Sequence, residues 1–240
     1  MIKHIWQGQT FWLHPHRLMY WEEQNILIGS DLHLGKTGHF RKAGIAMPQQ
    51  VYKEDLQRLF TAIRDYNPKQ LLIVGDFFHS EANKELDWFA RWRNDFPAID
   101  FHLVKGNHDI LKKDWYLNNG IKVSKEFTMD GIQFLHDPAE ANRQTALVTS
   151  EEQGGDCPLI SSSLPLPTIS GHLHPGISIS GGSRQTLRFP CFYFSKMQCI
   201  LPAFSLFTGL CSIKPKSGEN VFAITPANLA KDERSSIFKI

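Results

Sequence analysis

Residues 71–79 read LLIVGDFFH, and this stretch decides the fold class of the chain. Its four leading apolar residues predict a short buried strand, which Gly75 and Asp76 end in a polar turn. The same pattern occurs upstream at residues 26–31 (ILIGSD) and downstream at residues 101–107 (FHLVKGN). The sequence therefore predicts three buried strands that each deliver polar side chains at the carboxyl end.

Two amphipathic segments between these strands predict helices. Residues 48–66 place apolar side chains at three- and four-residue spacing on one face, at Tyr52, Leu56, Leu59, Phe60 and Ile63. A second helix is expected over residues 86–96. Its inward aromatic residues are expected to be core rather than a base-stacking surface: Trp88, Phe89 and Trp92. Strands that alternate with helices predict a βαβ sheet covered on both faces.

The C-terminal half changes character, because short β-rich segments follow one another with turns between them. The expected strands cover residues 132–135, 168–170, 177–179, 186–194, 198–201 and 221–224. They predict a second, more antiparallel sheet packed on the first. Residues 150–167 are rich in Ser, Gly and Pro and are expected to form a surface loop, so that residues 1–240 form one domain.

Composition is that of an ordinary globular protein. With 42% hydrophobic and 21% charged residues in a length of 240, the chain can bury a core without disulfides or a structural metal. The formal net charge of +2 does not by itself indicate a polyanionic partner. The four cysteines have no CxxC spacing, which predicts reduced thiols. We find neither an apolar run long enough to cross a membrane nor a signal-peptide pattern, so we expect a cytoplasmic protein without membrane contact.

Five polar signatures follow predicted strands and carry the chemistry. They are Asp31-x-His33, Gly75-Asp76-x-x-His79, Gly106-Asn107-His108-Asp109, His136 and Gly171-His172-x-His174. Carboxylate, amide and imidazole groups without thiolates suit Mn, Fe or Zn and argue against a structural zinc site. One histidine beside a strand is more often an ordinary hydrogen-bonded residue. Five signatures together predict a metal centre, because ligands of open α/β sheets gather at the carboxyl ends of strands.

Two local arguments place these side chains together. Residues i and i+2 of an extended segment point to the same side, so Asp31 and His33 are expected to offer two donors to one centre. The pair His172 and His174 repeats this spacing. The glycines at positions 75, 106 and 171 are expected to let the backbone turn sharply before each ligand.

The signatures DxH, GDxxH, GNHD, a lone His and GHxH resemble those of the calcineurin-like metallophosphoesterase superfamily. The resemblance implies an α/β fold, a two-sheet sandwich (αββα) with helices on the outer faces and a dinuclear metal centre. More narrowly, five segments resemble the bacterial ligase-associated DNA damage response endonucleases: residues 31–36 (DLHLGK), 40–45 (FRKAGI), 171–175 (GHLHP), 201–204 (LPAF) and 207–209 (FTG). This narrower resemblance covers nearly the whole chain.

The resemblance implies a role for each polar signature. One metal ion would be held by Asp31, His33 and His174, and the other by Asn107, His136 and His172. Asp76 would bridge both ions, which are expected to be Mn, with Fe, Zn or Mg as alternatives. His108 would be the catalytic or transition-state-binding histidine. The segment between His136 and His172 is longer than the family pattern leads us to expect, which makes His136 the ligand most in need of a test.

Three further residues are candidates for contacts with substrate. His79 is predicted to be catalytic and to favour phosphodiesters, because many phosphomonoesterases of the superfamily have Asp at this position and the related double-strand-break repair nucleases have His. The alternative for His79 is that it caps the following turn. Lys36 and Arg41 are candidate phosphate contacts, and the alternative is that they are solvated loop charges.

Three functions remain open from the sequence. The leading hypothesis is a metal-dependent phosphodiesterase or endonuclease that acts on DNA in repair, with DNA ligase or helicase repair proteins as partners by family resemblance. The alternative is a phosphatase or pyrophosphatase for a small nucleotide or other phosphoester. A third hypothesis is a non-catalytic interaction module, against which the complete set of candidate ligands weighs.

Overall fold

The computed structural model describes residues 1–36, 50–78, 84–139, 166–180, 186–226 and 236–240. Within them, the strands form two mixed sheets that pack face to face, with helices on the outer face of the first sheet. The predicted α/β two-sheet sandwich is confirmed. Helices on the outer face of the second sheet are not found in the described part of the chain.

The first sheet contains seven strands in chain order. They are β1 (Ile2–Trp6), β2 (Gln9–His14), β3 (Leu18–Trp21), β4 (Ile26–Gly29), β5 (Gln70–Val74), β6 (Asp100–Val104) and β7 (Ile121–Ser124). Strands β1 to β4 pair antiparallel, and β4 to β7 pair parallel. The parallel strands have their carboxyl ends at the same edge, which collects the turns that follow β4, β5 and β6.

The second sheet contains the remaining nine described strands. They are β8 (Phe127–Met129), β9 (Ile132–Leu135), β10 (Thr168–Ser170), β11 (Pro175–Ser180), β12 (Thr186–Phe194), β13 (Gln198–Ile200), β14 (Cys211–Ser212), β15 (Asn220–Thr225) and β16 (Ser236–Lys239). The order is β14-β11-β12-β13-β10-β9-β8, and β15 pairs with β12 and β16. Most pairs are antiparallel, as predicted, but β10 runs parallel to both β9 and β13, and β11 runs parallel to β14.

Alternating apolar residues build the layers of the sandwich. In β5, Leu71 and Ile73 face the helices, whereas Leu72 and Val74 face the second sheet. In β12, Phe192 and Phe194 face the first sheet in the same way. This two-residue period, with both faces apolar, is that of strands buried on both sides.

Three helices lie in the described residues: α1 (Gln50–Tyr66), α2 (Lys84–Arg93) and α3 (Lys113–Asn118). The predicted inward faces of α1 and α2 pack on the first sheet, although Phe60 is 36% exposed. Helix α2 ends at Arg93 instead of Phe96. The N–H groups of residues 94–96 donate to carbonyls three residues earlier, so the four-residue hydrogen bonds of the α-helix do not continue there. Phe89 is fully buried and its neighbours Trp88 and Trp92 pack around it, which is the predicted core role.

The structure bears on three further sequence predictions: the cysteines, the surface loop and the membrane-spanning helices. Cys191, Cys199 and Cys211 are free thiols, whereas Cys157 lies outside the described residues. The expected surface loop at residues 150–167 falls almost wholly outside them as well, so the loop and the single-domain organisation stay predictions. Among the described helices we find none with the length and apolar character to cross a membrane.

Candidate metal centre

Polar side chains from both sheets meet at one edge of the sandwich. Asp31 follows β4 and Asp76 follows β5, at the carboxyl ends of neighbouring parallel strands of the first sheet. His136 follows β9, and His172 and His174 follow β10, at the carboxyl ends of neighbouring parallel strands of the second sheet. Strands that end together thus bring residues far apart in sequence into two compact donor groups.

The first donor group consists of Asp31, His33 and His174, whose donor atoms all lie within 4.8 Å of one another. Nε2 of His174 lies 3.2 Å from Oδ1 of Asp31. This nitrogen is buried, yet it makes no well-directed hydrogen bond within the described residues. This nitrogen and the Asp31 oxygen are therefore placed as two ligands of one cation would be.

The second donor group consists of Asp76, His136 and His172, again with donor atoms within 4.8 Å of one another. Nε2 of His136 lies 3.4 Å from Oδ2 of Asp76 and 3.2 Å from Nδ1 of His172. Nδ1 of His136 lies 3.3 Å from the carbonyl oxygen of Val74. Metal-binding histidines commonly donate one ring N–H to a backbone carbonyl, which fixes the other nitrogen toward the metal.

Asp76 lies between the two groups. Its Oδ2 atom is 3.4 Å from Nε2 of His136 and 3.8 Å from Nε2 of His33, and its Oδ1 atom accepts the backbone N–H of His108 at 2.9 Å. Burial opposes ionisation, but the hydrogen bond and charge of His136 outweigh it and hold the pKa of Asp76 well below its usual range. Although burial acts against it, the same contact raises the pKa of His136 to about 9. The Asp76 carboxylate is therefore ionised and within reach of both groups.

Five of the six donor residues share an unusual backbone conformation. A positive φ angle, between 46° and 67°, is found at Asp31, His33, Asp76, His172 and His174. The sequence-based argument that both His-containing pairs are extended is therefore wrong. Left-handed residues other than glycine cost about 1 kcal/mol or more each, so the surrounding structure must hold them. Asp31 and His33 nevertheless share the first donor group, whereas His172 and His174 do not serve one centre: His172 lies in the second group and His174 in the first.

Three glycines lie against donor side chains that come from other strands. A Cβ atom on Gly75 would lie 1.8 Å from Nδ1 of His136. On Gly106 it would lie 2.3 Å from Oδ1 of Asp76, and on Gly171 it would lie 2.6 Å from Oδ2 of Asp31. Of the three, Gly75 alone has a positive φ angle, 80°. The predicted sharp turn is thus present at Gly75, whereas the other two glycines are needed for space rather than for backbone conformation.

The segment of residues 201–205 (LPAFS) fixes the first ligand loop to the second sheet. The N–H of Phe204 donates to the carbonyl of Ser30 at 2.9 Å, and the N–H of Ser205 donates to the carbonyl of Asp31 at 3.2 Å. The hydroxyl of Ser30 donates to Oδ2 of Asp31 at 2.7 Å. The sequence marked this segment by resemblance alone, and the structure shows its physical role in positioning Asp31.

Asp109 is a buried carboxylate that joins two ligand loops, a role that sequence reasoning missed. Its Oδ1 atom accepts the N–H groups of Phe77 and Phe78 at 2.9 and 3.1 Å, and its Oδ2 atom accepts the N–H of Gly106 at 2.8 Å. Burial raises the pKa of Asp109 to about 6 despite these donors. The loop after β5 is thereby held against the loop after β6. The only sequence signal for this role is the last letter of the GNHD signature.

Asn107 and His108 lie in the turn after β6, and both are exposed. The ring centroid of His108 is 5.5 Å from that of His33. This distance places an imidazole on the solvent side of the first donor group, next to the Asp76 carboxylate that accepts its backbone N–H. The Asn107 amide is the neighbouring polar group in the same turn.

Of the three predicted substrate contacts, Lys36 is among the residues that the structure describes. Lys36 lies just past the first ligand pair, and its Nζ donates to the carbonyl of Phe207 at 2.8 Å. Burial lowers the pKa of Lys36, while the charges of Asp76 and Asp31 act in the opposite direction. Arg41 and His79 lie outside the described residues, so their roles stay predictions.

The donor groups fit divalent metal ions. Each group contains one buried carboxylate and two imidazoles, a donor set that suits borderline cations such as Mn, Fe and Zn. A cation in each group would also neutralise a negative charge that is removed from water. The residues that would hold the ions are Asp31, His33, Asp76, His136, His172 and His174, with the Asn107 amide at the exposed side.

Two solved structures are similar to the chain to different degrees. A crystal structure of the nuclease MPE from Pseudomonas putida is similar to the chain with a TM-score of 0.71 and 26% sequence identity, over 92% of this chain and 96% of that one. A structure of Yfce, a phosphoesterase from E. coli, covers 90% of this chain and 97% of its own, but at 12% identity and a TM-score of 0.39. A search of the curated proteins found no match.

A family model settles the classification. The model described as calcineurin-like phosphoesterase matches residues 25–191, which is more than half of the chain and includes every strand that bears a donor residue. The resemblance inferred from the five signatures is thereby confirmed. The chain belongs to the calcineurin-like phosphoesterase family and is a hydrolase that acts on phosphoester bonds.

Proposed function

We propose that this hydrolase is a phosphodiesterase that cuts DNA, with two divalent metal ions, most suitably Mn, at the two donor groups. The observation that carries the proposal is the position of Asp76, whose Oδ2 atom lies within 3.8 Å of an imidazole nitrogen of either group. The similarity to a Pseudomonas putida nuclease supports nucleic acid as the substrate.

Asp76, His108 and Asp109 have different proposed roles in hydrolysis. Two bound divalent ions would supply an activated water and neutralise charge on the phosphate and its leaving oxygen. The ionised Asp76 carboxylate lies within reach of both donor groups and would serve as a ligand in each. The exposed His108 imidazole donates a hydrogen bond or proton toward the leaving oxygen. Asp109 keeps the loop of His108 in place by binding the backbone N–H of Gly106.

His79 and Arg41 complete the proposed substrate side of the site. An imidazole at position 79 replaces the carboxylate that many phosphomonoesterases of the superfamily carry there. The replacement changes the local field and the proton supply near His108, and we propose that it moves the selectivity toward diesters. Arg41 and Lys36 are proposed to contact phosphate. A cytoplasmic role in DNA repair beside a ligase or helicase is the cellular setting that the narrower resemblance suggests.

A comparison of three substrates tests the proposal. With Mn added, the protein should hydrolyse bis(p-nitrophenyl) phosphate faster than p-nitrophenyl phosphate, and it should cut a DNA oligonucleotide internally. A preference for p-nitrophenyl phosphate would favour the phosphatase alternative. Absence of hydrolysis of all three substrates, in protein that binds Mn, would favour a non-catalytic module instead.

A further inference from the structure

A cavity of about 400 Å³ is lined by three arginines, Arg17, Arg58 and Arg188. Its remaining walls are largely apolar and include Leu187, Leu206, Leu210 and Phe189. The lining contains no carboxylate among the described residues. An apolar cavity with guanidinium groups in its lining suits an anionic ligand that carries an apolar part.

Two hydrogen-bonded connections link this cavity to the first donor group. Nη1 of Arg17 donates to the carbonyl of Ser205 at 2.7 Å, and the N–H of Ser205 donates to the carbonyl of Asp31. On the other side, Nη1 of Arg188 donates to the carbonyl of Leu210 at 3.3 Å. The next residue along the chain, Cys211, donates its N–H to the carbonyl of His174 at 3.0 Å. The cavity walls are thus connected to the backbone of Asp31 and of His174 through Ser205 and Cys211.

The arginines keep spare donors and an excess of positive charge. Arg58 forms an ion pair with Asp55 at 2.6 Å and donates to the carbonyl of Phe204, but its Nε atom is buried without a hydrogen-bond partner within the described residues. Burial lowers the pKa of Arg17 to about 10, which still leaves it protonated at neutral pH. Arg188 is exposed, with one of its donors bonded to Leu210.

We propose that this arginine cavity, defined by Arg17, Arg58 and Arg188, binds a second phosphate of the nucleic-acid strand whose scissile phosphate lies at the metal centre. The inference rests on the proposed nuclease function and deepens it. Arg188 supplies the exposed donor, and the buried arginines supply a fixed field. The apolar wall around Leu187 and Leu206, both nearly half exposed, accommodates the sugar or base beside that phosphate.

The test compares Arg188→Ala with the unmodified protein, both loaded with Mn. A longer single-stranded oligonucleotide has a second phosphate, whereas bis(p-nitrophenyl) phosphate and a dinucleoside monophosphate have only one. Arg188→Ala should weaken binding of the oligonucleotide, and raise its KM, about tenfold, the size of one charge-assisted hydrogen bond. It should leave kcat/KM for both small diesters within about twofold, because the metal centre is untouched.

Two matched variants and the salt dependence sharpen the result. Arg188→Lys keeps the charge and should recover most of the oligonucleotide affinity. Arg64→Ala removes the same charge from an exposed position on α1 outside the cavity and should have little effect. Arg188→Ala should also reduce the slope of log affinity against log salt by about 0.7, the value for one phosphate contact on a single strand.

The outcomes separate this inference from the proposed function. Equal oligonucleotide binding and cleavage by Arg188→Ala and Arg64→Ala would overturn the cavity proposal and leave the nuclease function standing. An equal loss of kcat/KM on the oligonucleotide, bis(p-nitrophenyl) phosphate and the dinucleoside monophosphate would also overturn the cavity proposal, because the effect would then be structural. An unmodified protein that hydrolyses bis(p-nitrophenyl) phosphate but neither binds nor cuts oligonucleotides would overturn both. If the unmodified protein binds the oligonucleotide without cutting it, the nuclease function is overturned. Weaker binding by Arg188→Ala than by Arg64→Ala would then still support the cavity as a phosphate site, and equal binding would overturn it.

Discussion

Gly75 and His136 touch across the two sheets, so closely that a Cβ atom on Gly75 would lie 1.8 Å from Nδ1 of the imidazole. We predict that Gly75→Ala displaces His136, weakens metal binding by the second donor group and abolishes most of the phosphodiesterase activity. The reason is steric, because the added methyl group and the imidazole cannot occupy the same space. Metal content and turnover of bis(p-nitrophenyl) phosphate measure the effect.

Gly131→Ala is the control for this substitution. Gly131 has a similar φ angle, 74°, and no atom lies within 4 Å of the position that its Cβ would occupy, so the change imposes the backbone strain without the contact. It should cost about 1–2 kcal/mol of stability and leave activity intact. Full activity in Gly75→Ala would show that His136 is not a required ligand.

Asp76→Asn should abolish activity and weaken metal binding at both donor groups. The amide keeps the shape of the side chain but loses the negative charge that lies between His33 and His136. Titration with Mn followed by calorimetry counts the sites, and Asp114→Asn on the exposed face of α3 serves as the matched control. One metal ion per chain in fully loaded, active protein would contradict a shared Asp76.

His108→Ala should lower turnover by about 10²–10⁴, the usual size of a general-acid contribution, with metal content nearly unchanged. This expectation follows from its exposed ring beside the first donor group. His102→Ala, in β6 and bonded to Ser124, is the histidine control and should leave turnover nearly unchanged. Loss of metal from His108→Ala would make His108 a ligand.

His79→Asp should shift selectivity from diesters toward monoesters by tenfold or more in the ratio of kcat/KM values, which corresponds to about 1.4 kcal/mol of differential transition-state binding. The restored carboxylate changes the charge and the proton supply near His108. Paired assays with bis(p-nitrophenyl) phosphate and p-nitrophenyl phosphate give the ratio. A ratio that changes by less than about twofold would assign His79 a structural role.

Acid should destabilise the fold in part through His4. Its ring packs against Phe194 and Phe222 at centroid distances of 4.5 and 4.9 Å, and burial, with a smaller effect of Lys239, lowers its pKa to about 4. The unfolded chain, with a histidine pKa near 6.5, binds more protons between these values, so stability falls as pH falls from about 6.5 to 4.

His4→Phe should remove part of this pH dependence. Because the ring is only half-buried, we expect the histidine to account for about 1 kcal/mol between pH 7 and 5, which corresponds to about 2–4 °C in Tm. Thermal melts of both proteins at the two pH values provide the comparison. Equal decreases in Tm would show that His4 does not contribute.

The sequence predicted β4, β5 and β6 of the first sheet well, because continuous apolar runs end there in polar turns. It missed β7, and it missed β1 to β3 although the signal was present. Gln7 and Gly8, both with positive φ, form a two-residue turn between segments of mixed aromatic and polar residues. The His and Lys residues within those strands obscured the alternation, and packing of Trp6 and Phe11 against the second sheet decides the structure.

The sequence named the six side chains that the structure brings together in the two donor groups, but it did not give their geometry. Residue types and strand ends indicated the donor groups, whereas the left-handed conformations depend on contacts that no local pattern encodes. Ser205 fixes Asp31 from 174 positions further along the chain, and Arg17 approaches Ser205 across 188 positions. Tertiary contacts of this kind, which also form the arginine cavity, become visible only when the two sheets are placed together.

Each donor group takes ligands from both sheets, and Asp31 accepts the N–H of His172 across 141 positions of sequence. A bound cation is therefore a cross-link between the halves of the sandwich, comparable in topology to a disulfide that closes a long loop. The stability of the fold should therefore depend on metal supply, since a chelator would weaken the contact between the two sheets as well as stop catalysis. During folding, neither donor group is complete before the sheets dock, so the capacity to hydrolyse phosphoesters is the last property that the chain acquires.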